Sequence, residues 1–159
     1  MTVAHAWRAG VHEAETVARL LVAFRDHLGY DWPSDNAFLG GVERLIEDRD
    51  TEYLLGAVAE GEPAVGVVQL RFRWGIWRAG VDCLVEDVFV AEAARGRGVA
   101  RALLELATER ALQRGCRRME LDVSEANDAG LALYRSFGFG GHTAADAPRD
   151  LYLRRHLDP

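Results

Sequence analysis

Val85-Glu86-Asp87-Val88-Phe89-Val90-Ala91-Glu92-Ala93-Ala94-Arg95-Gly96-Arg97-Gly98-Val99-Ala100 is the stretch on which the reading of this chain turns. Its first six residues form an apolar run broken by two acids, as in a buried strand. From Val99 onward, Val99, Leu103, Leu106, Ala107 and Ala111 recur at helical spacing as far as Gly115. Between strand and helix stand two glycines, which let the backbone turn tightly and approach an anion with no Cβ in the way. The unpaired N–H groups of the helix start would point at that anion with the macrodipole behind them. A pyrophosphate suits such a turn, although a strand-to-helix turn that merely needs flexible residues would read the same way. Two better-known phosphate loops are excluded: G-x-x-x-x-G-K-[ST] is absent, and Arg101 stands where G-x-G-x-x-G needs its third glycine. At least three strands also precede the turn, whereas a dinucleotide fingerprint usually follows the first strand.

Upstream, the spacing predicts a short strand over Ala4 to Ala9, a helix over Val11 to Leu28 and a second helix over Asn36 to Glu47. Tyr53 to Ala59, Ala64 to Trp74 and Val81 to Val90 then read as an antiparallel meander, with Glu60-Gly61-Glu62-Pro63 and Trp77-Arg78-Ala79-Gly80 as its turns. Downstream, Met119 to Val123 reads as a strand, Asn127 to Phe137 as a helix closed by Gly138, and Asp150 to Arg154 as a final strand. Strands first and β-α-β-α-β afterwards predict an α/β (α+β) fold: a central mixed, mostly antiparallel twisted sheet with helices on both faces. At 159 residues, without repeats or linkers, the chain is expected to be one domain spanning residues 1–159.

Composition narrows the function classes. A formal net charge of −6 argues against a nucleic-acid grip and sits better with a cationic small substrate. Cys83 and Cys116 lack any metal-ligand or C-x-x-C spacing and read as inert thiols. His5, His12, His27, His142 and His156 are scattered, so no metal is expected. No apolar run approaches the roughly 20 residues of a membrane span, and Met1-Thr2-Val3-Ala4-His5 has no signal-peptide pattern. A cytoplasmic protein is the expectation.

Val85 to Val90 followed by Arg95-Gly96-Arg97-Gly98-Val99-Ala100 resembles the GNAT superfamily of N-acetyltransferases, whose cofactor loop [QR]-x-x-G-x-[GA] is met by Arg95, Gly98 and Ala100. Asn127, Tyr134 and Phe137-Gly138-Phe139 continue the likeness. The resemblance implies acetyl-CoA as cofactor. Backbone groups of Val88, Phe89 and Val90 would hold the pantetheine arm, and the amides of Arg95, Gly96, Arg97, Gly98, Val99, Ala100 and Arg101 the pyrophosphate. It also implies Tyr134 as general acid, and Asn127 as a cofactor contact that can equally cap its own helix.

Acetyl transfer to an amine needs a proton acceptor, because only about one alkylammonium in 10³ is neutral at pH 7. Glu86 is the first choice, two residues before Val88 and on its face by simple alternation, with Asp87 on the other face; a bulge would reverse that inference. A salt-bridged structural acid is the alternative for Glu86. Trp77 to Val90 is most similar to the diamine (spermidine/spermine) acetyltransferase branch, which suggests a small amine acceptor. Asp31, Asp35, Glu47, Asp48, Asp50, Glu52, Trp32, Trp74 and Trp77 are candidates to shape its pocket. A protein, amino-acid or antibiotic acetyltransferase and a non-catalytic acyl-CoA sensor are the rival readings. A homodimer is allowed by apolar residues expected at the surface.

Overall fold

The computed structural model describes residues 2–141, 144 and 146–158. His142, with Met1 and Pro159, lies outside them. The chain divides into two compact units, Met1–Leu121 and Asp122–Pro159.

In the first unit, β1 (His5–Arg8), β2 (Thr51–Ala57), β3 (Gly66–Gly75), β4 (Gly80–Val90) and β5 (Arg118–Glu120) form one sheet in that spatial order. The first four strands pair antiparallel and β4 pairs parallel with β5. α1 (Ala14–His27) and α2 (Asp35–Leu45) connect β1 to β2, and α3 (Val99–Gln113) connects β4 to β5. Alternation along the strands divides the core in two. Tyr53, Leu55, Val67 and Phe89 pack with Val17, Leu20 and Leu21 of α1 and Val42 of α2. Leu54, Val68, Leu70, Phe72, Cys83 and Val85 pack with Val99, Leu103, Ala107 and Ala111 of α3. The mixed sheet with helices on both faces is thus as the sequence leads one to expect.

Two glycines set how closely α3 approaches. Gly56 and Gly66 face each other across β2 and β3. A Cβ on Gly56 would lie 2.9 Å from Val99 Cγ1, and one on Gly66 3.0 Å from Leu103 Cδ1. The first turn of α3 therefore lies directly on bare backbone. Further along the same face, the fully buried Glu52 carboxylate accepts from Arg110 Nε at 2.9 Å and meets Arg8 at 3.4 Å and Arg114 at 3.5 Å. Burial alone would raise its pKa, but the Arg110 hydrogen bonds and the three positive charges outweigh that and lower it.

The second unit holds α4 (Asp128–Ser136), capped by the Asn127 side chain. The expected final strand over Asp150 to Arg154 does not form; among the described residues there, Arg149 carries an isolated bridge. Leu151, Tyr152 and Leu153 are 72%, 76% and 83% exposed, so consecutive side chains face solvent and neither face of the run is covered. An apolar pattern without a covered face or a ladder partner has nothing to hold it as a strand. The expected strand Met119 to Val123 is likewise shorter, Arg118–Glu120. Among the described residues, no helix is long and apolar enough to cross a membrane.

Candidate active site

The acids of β4 lie where its register breaks. Gln69 pairs with Asp87 and Leu70 with Val85, so Glu86 is the extra residue of a β-bulge. Val85 packs on the α3 face, and after the bulge Val88 and Val90 do so as well. Glu86 turns to the other face, where its carboxylate lies 3.7 Å from Arg71. This corrects the expectation that Glu86 shares a face with Val88: the bulge absorbs one step of alternation and brings Glu86 and Asp87 to the α1–α2 side together. Asp87 lines a cavity of about 150 Å³ walled by Phe24 and Arg25 of α1, Leu28, Tyr30 and Trp32 of the segment that follows it, and Phe38 of α2. The charge of Arg25 is taken up by Asp26 and Asp35, each at 2.8 Å. Behind Asp87 a polar row runs across the sheet, Asp87 opposite Gln69 and Gln69 opposite Tyr53. Burial first, then the charges of Asp87 and Glu86, raises the Tyr53 phenol well above its ordinary range, so it stays protonated.

The glycine turn begins at the end of the same strand. β4 pairs with β5 only over Asp82 to Leu84. From Val85 to Val90, including Val88 and Phe89, it has no ladder partner on that edge among the described residues. Gly96 and Gly98 adopt φ of +75° and +84°, which a residue with a Cβ reaches only at a cost. Gly98 is the N-cap of α3 and supplies no side-chain cap, and the first helical bond runs from Ala102 N to Gly98 O. The amides of Gly98, Val99 and Ala100 thus have no acceptor within the helix. They suit an anion approaching the turn, with the Arg97 side chain exposed beside it. Arg95 shapes the loop instead. Its amide donates to Glu92 O, its Nε donates to Val90 O at 3.0 Å, and its Nη2 lies 3.4 Å from His27 Nε2.

In the second unit, Asn127 Oδ1 accepts from Gly130 N at 2.9 Å, closing the first turn of α4. Tyr134 follows two turns later, on the same side of the helix. Its ring meets Phe139 edge-on at 6.3 Å. Burial, with a smaller push from Asp122, raises its pKa, so the phenol keeps its proton at neutral pH.

Other expectations resolve differently. Of the three tryptophans expected to shape the pocket, Trp32 walls the cavity, while Trp74 and Trp77 are 66% and 93% exposed near the β3–β4 turn. Glu52 belongs to the arginine cluster under α3, and Asp48 is engaged by Thr51. Cys83 and Cys116 are free, and burial, followed by its charge neighbours, pushes the Cys83 thiol up to about 12. Sequence reasoning missed Arg71, Gln69 and Tyr53, whose link to the acids exists only through strand register. Among the described residues, no group of three or more His, Cys, Asp or Glu side chains is placed to hold a metal.

Residues 16–139 match the Acetyltransferase (GNAT) family. The chain is 30% identical over 92 residues to thialysine N-epsilon-acetyltransferase of Bos taurus, covering 55% of this chain and 54% of that protein. It is 30% identical over 108 residues to streptothricin acetyltransferase of Streptomyces lavendulae, covering 68% of this chain and 54% of that protein. The chain thus spans about half the length of these relatives. A crystal structure from Arthrobacter sp. FB24, described as an acetyltransferase, superposes with a TM-score of 0.85 at 26% identity over 96% of this chain and 95% of its own. A bulged, acid-bearing strand running into a glycine turn at the head of a helix, within a match of this extent, establishes that the chain belongs to the Acetyltransferase (GNAT) family.

Proposed function

We propose that the chain is an acetyl-CoA-dependent N-acetyltransferase that acetylates a primary amine of a small, diamine-like molecule. The observation that carries this reading is Asp87, set in an aromatic-walled cavity beside the bulged Glu86, on the strand that leads into the glycine turn. Such a cavity suits an alkylammonium: its carbon chain lies against Phe24, Trp32 and Phe38, and its charge faces a carboxylate. The resemblance to thialysine N-epsilon-acetyltransferase favours a flexible amine over a rigid one.

Acetyl-CoA supplies the activated acyl group when bound. The amides of Gly98, Val99, Ala100 and Arg101 bind its pyrophosphate, and the open edge of β4 at Val88, Phe89 and Val90 aligns its pantetheine arm. Asp87 positions the ammonium and, with Glu86, accepts its first proton. The freed amine forms the N–C bond as the C–S bond breaks. Tyr134 gives its proton to the departing thiolate and regains one lost from the new amide nitrogen. Asn127 orders the start of the helix that carries Tyr134. The chain works as one domain, and its apolar exposed residues suit a homodimer.

The test is thiol release from acetyl-CoA with putrescine, spermidine, thialysine, streptothricin and lysine peptides as acceptors, using wild type, Asp87→Asn, Glu86→Gln and Tyr134→Phe. We expect turnover with a small amine and a kcat/KM lowered about 10²-fold or more in Asp87→Asn and Tyr134→Phe, in keeping with loss of a general base or acid. Turnover with peptides only would discard the small-amine reading. CoA binding without turnover on any acceptor would make the chain an acyl-CoA sensor.

A further inference from the structure

Several arginines of the first unit hold a carboxylate closely: Arg25 lies 2.8 Å from Asp35, Arg110 2.9 Å from Glu52 and Arg118 3.0 Å from Asp82. Arg71 is different. It stands 3.7 Å from Glu86, an ion pair too long for a hydrogen bond, and the two side chains are 40% and 42% exposed. A loose, half-exposed pair of this kind contributes little to stability and exchanges its partners readily. Its place in the sheet matters more than its strength. Arg71 follows Gln69 by two residues on β3, and Gln69 pairs with Asp87, so Arg71, Gln69, Glu86 and Asp87 share the α1–α2 face. Gln69 is 5% exposed, and among the described residues its side-chain amide makes no hydrogen bond, yet it is not sealed off as Asp82 Oδ1 is. A small polar group can therefore reach it beside the acids.

An ammonium held at Asp87 thus has a second carboxylate next to it, occupied by a loosely held guanidinium. Consecutive Cα atoms lie about 3.8 Å apart, so a short methylene chain suffices to bring two ammoniums to the two acids. The other arginine at the cavity, Arg25, does not oppose this, because Asp26 and Asp35 take up its charge. Nor is Arg71 stranded when it leaves Glu86. Thr51 stands opposite it on β2 and donates to Asp48, whose pKa that hydrogen bond lowers most and the charge of Arg71 lowers further. We propose that Arg71 is a resident counter-ion that sets the charge selectivity of the acceptor site: a singly charged amine leaves it on Glu86, and a doubly charged one displaces it, the reacting ammonium facing Asp87 and the far ammonium facing Glu86. This rests on the small-amine reading above and deepens it, since Arg71 becomes the residue by which the site tells a straight-chain diamine from a monoamine of the same length.

The experiment measures kcat/KM with acetyl-CoA for putrescine and for n-butylamine, which share a carbon chain and differ in charge. Wild type, Arg71→Gln, Arg71→Lys, Glu86→Gln and the double variant Arg71→Gln/Glu86→Gln are compared, with thermal melts as the control for folding. Arg71→Gln should raise the putrescine-to-butylamine ratio about fivefold, the size of one half-exposed ion pair, through a lower KM for putrescine. Arg71→Lys keeps the charge and should leave the ratio within about twofold of wild type. In the Glu86→Gln background, Arg71→Gln should change the ratio by less than about twofold, because the group for which the two cations compete is gone. A ratio unchanged or lowered in Arg71→Gln, with both amines still acetylated, would overturn the inference and leave the acetyltransferase reading standing. A ratio raised as much without Glu86 as with it would also overturn it, by assigning to Arg71 a simple repulsion in place of competition. Failure of wild type to acetylate any amine would overturn both the inference and the reading beneath it.

Discussion

At the scale of single residues, the two acids of β4 and the buried Glu52 show how neighbours decide what a carboxylate does. Glu86 and Asp87 are legible in the sequence as acids in an apolar strand, and Asp87 takes the expected face, but the direction of Glu86 is not legible, because one inserted residue reverses the alternation. Glu52 is the converse case. It resembles one more charge of an acidic loop, yet it lies fully buried among Arg8, Arg110 and Arg114. Removing it leaves those arginines unbalanced, so Glu52→Ala should lower unfolding stability by about 3 kcal/mol in urea denaturation. The pH dependence follows from the lowered pKa of this carboxyl. Its contribution is complete above the unfolded carboxylate range, near about 4.3, and is lost as pH falls through the lower folded value. Wild type should therefore lose stability on acidification below that range, and Glu52→Gln should lose less over the same interval.

At the scale of elements, the junction of β4 with α3 depends on glycine for two separate reasons. Gly98 supplies a positive φ, so Gly98→Ala should cost about 1–2 kcal/mol in stability and raise the KM for acetyl-CoA by bending the anion-facing amides out of line. Gly56 supplies space under Val99. Gly56→Ala should cost about 1–3 kcal/mol by overpacking and, by lifting the first turn of α3, weaken CoA binding in a titration without touching the loop itself. Only the first glycine is readable from a motif. The second is silent in the sequence, since nothing in β2 alone tells that a helix will lie on its backbone. The unformed strand near residue 150 is the same lesson in reverse: Leu151, Tyr152 and Leu153 have strand-like chemistry, and it is the lack of a covering layer that leaves them irregular.

At the scale of the whole molecule, the core on the α3 face encloses Cys83 completely, and burial holds its thiol up to about 12. Thiolate is the reactive form, so Cys83 should resist a thiol-specific disulfide reagent at pH 8 until the first unit unfolds. Its labelling rate should then follow the global unfolding equilibrium measured in denaturant. The half-buried Cys116, whose thiol is also raised by burial, should label first. Faster labelling of Cys83 than of Cys116 would mean that the sheet opens locally at β4.

The sequence by itself determined the element order as far as α4, the glycine turn and the identity of the acids, because these rest on local signals: hydrophobic period, positive-φ residues and helix caps. Tertiary structure alone decided the bulge at Glu86, the polar row from Asp87 through Gln69 to Tyr53, the arginine cluster on Glu52 and the ion pair of Arg71 with Glu86. Each of these depends on which residues face one another across strands far apart in the chain, and that pairing is settled by register and by packing on both faces of the sheet, not by any one segment's chemistry.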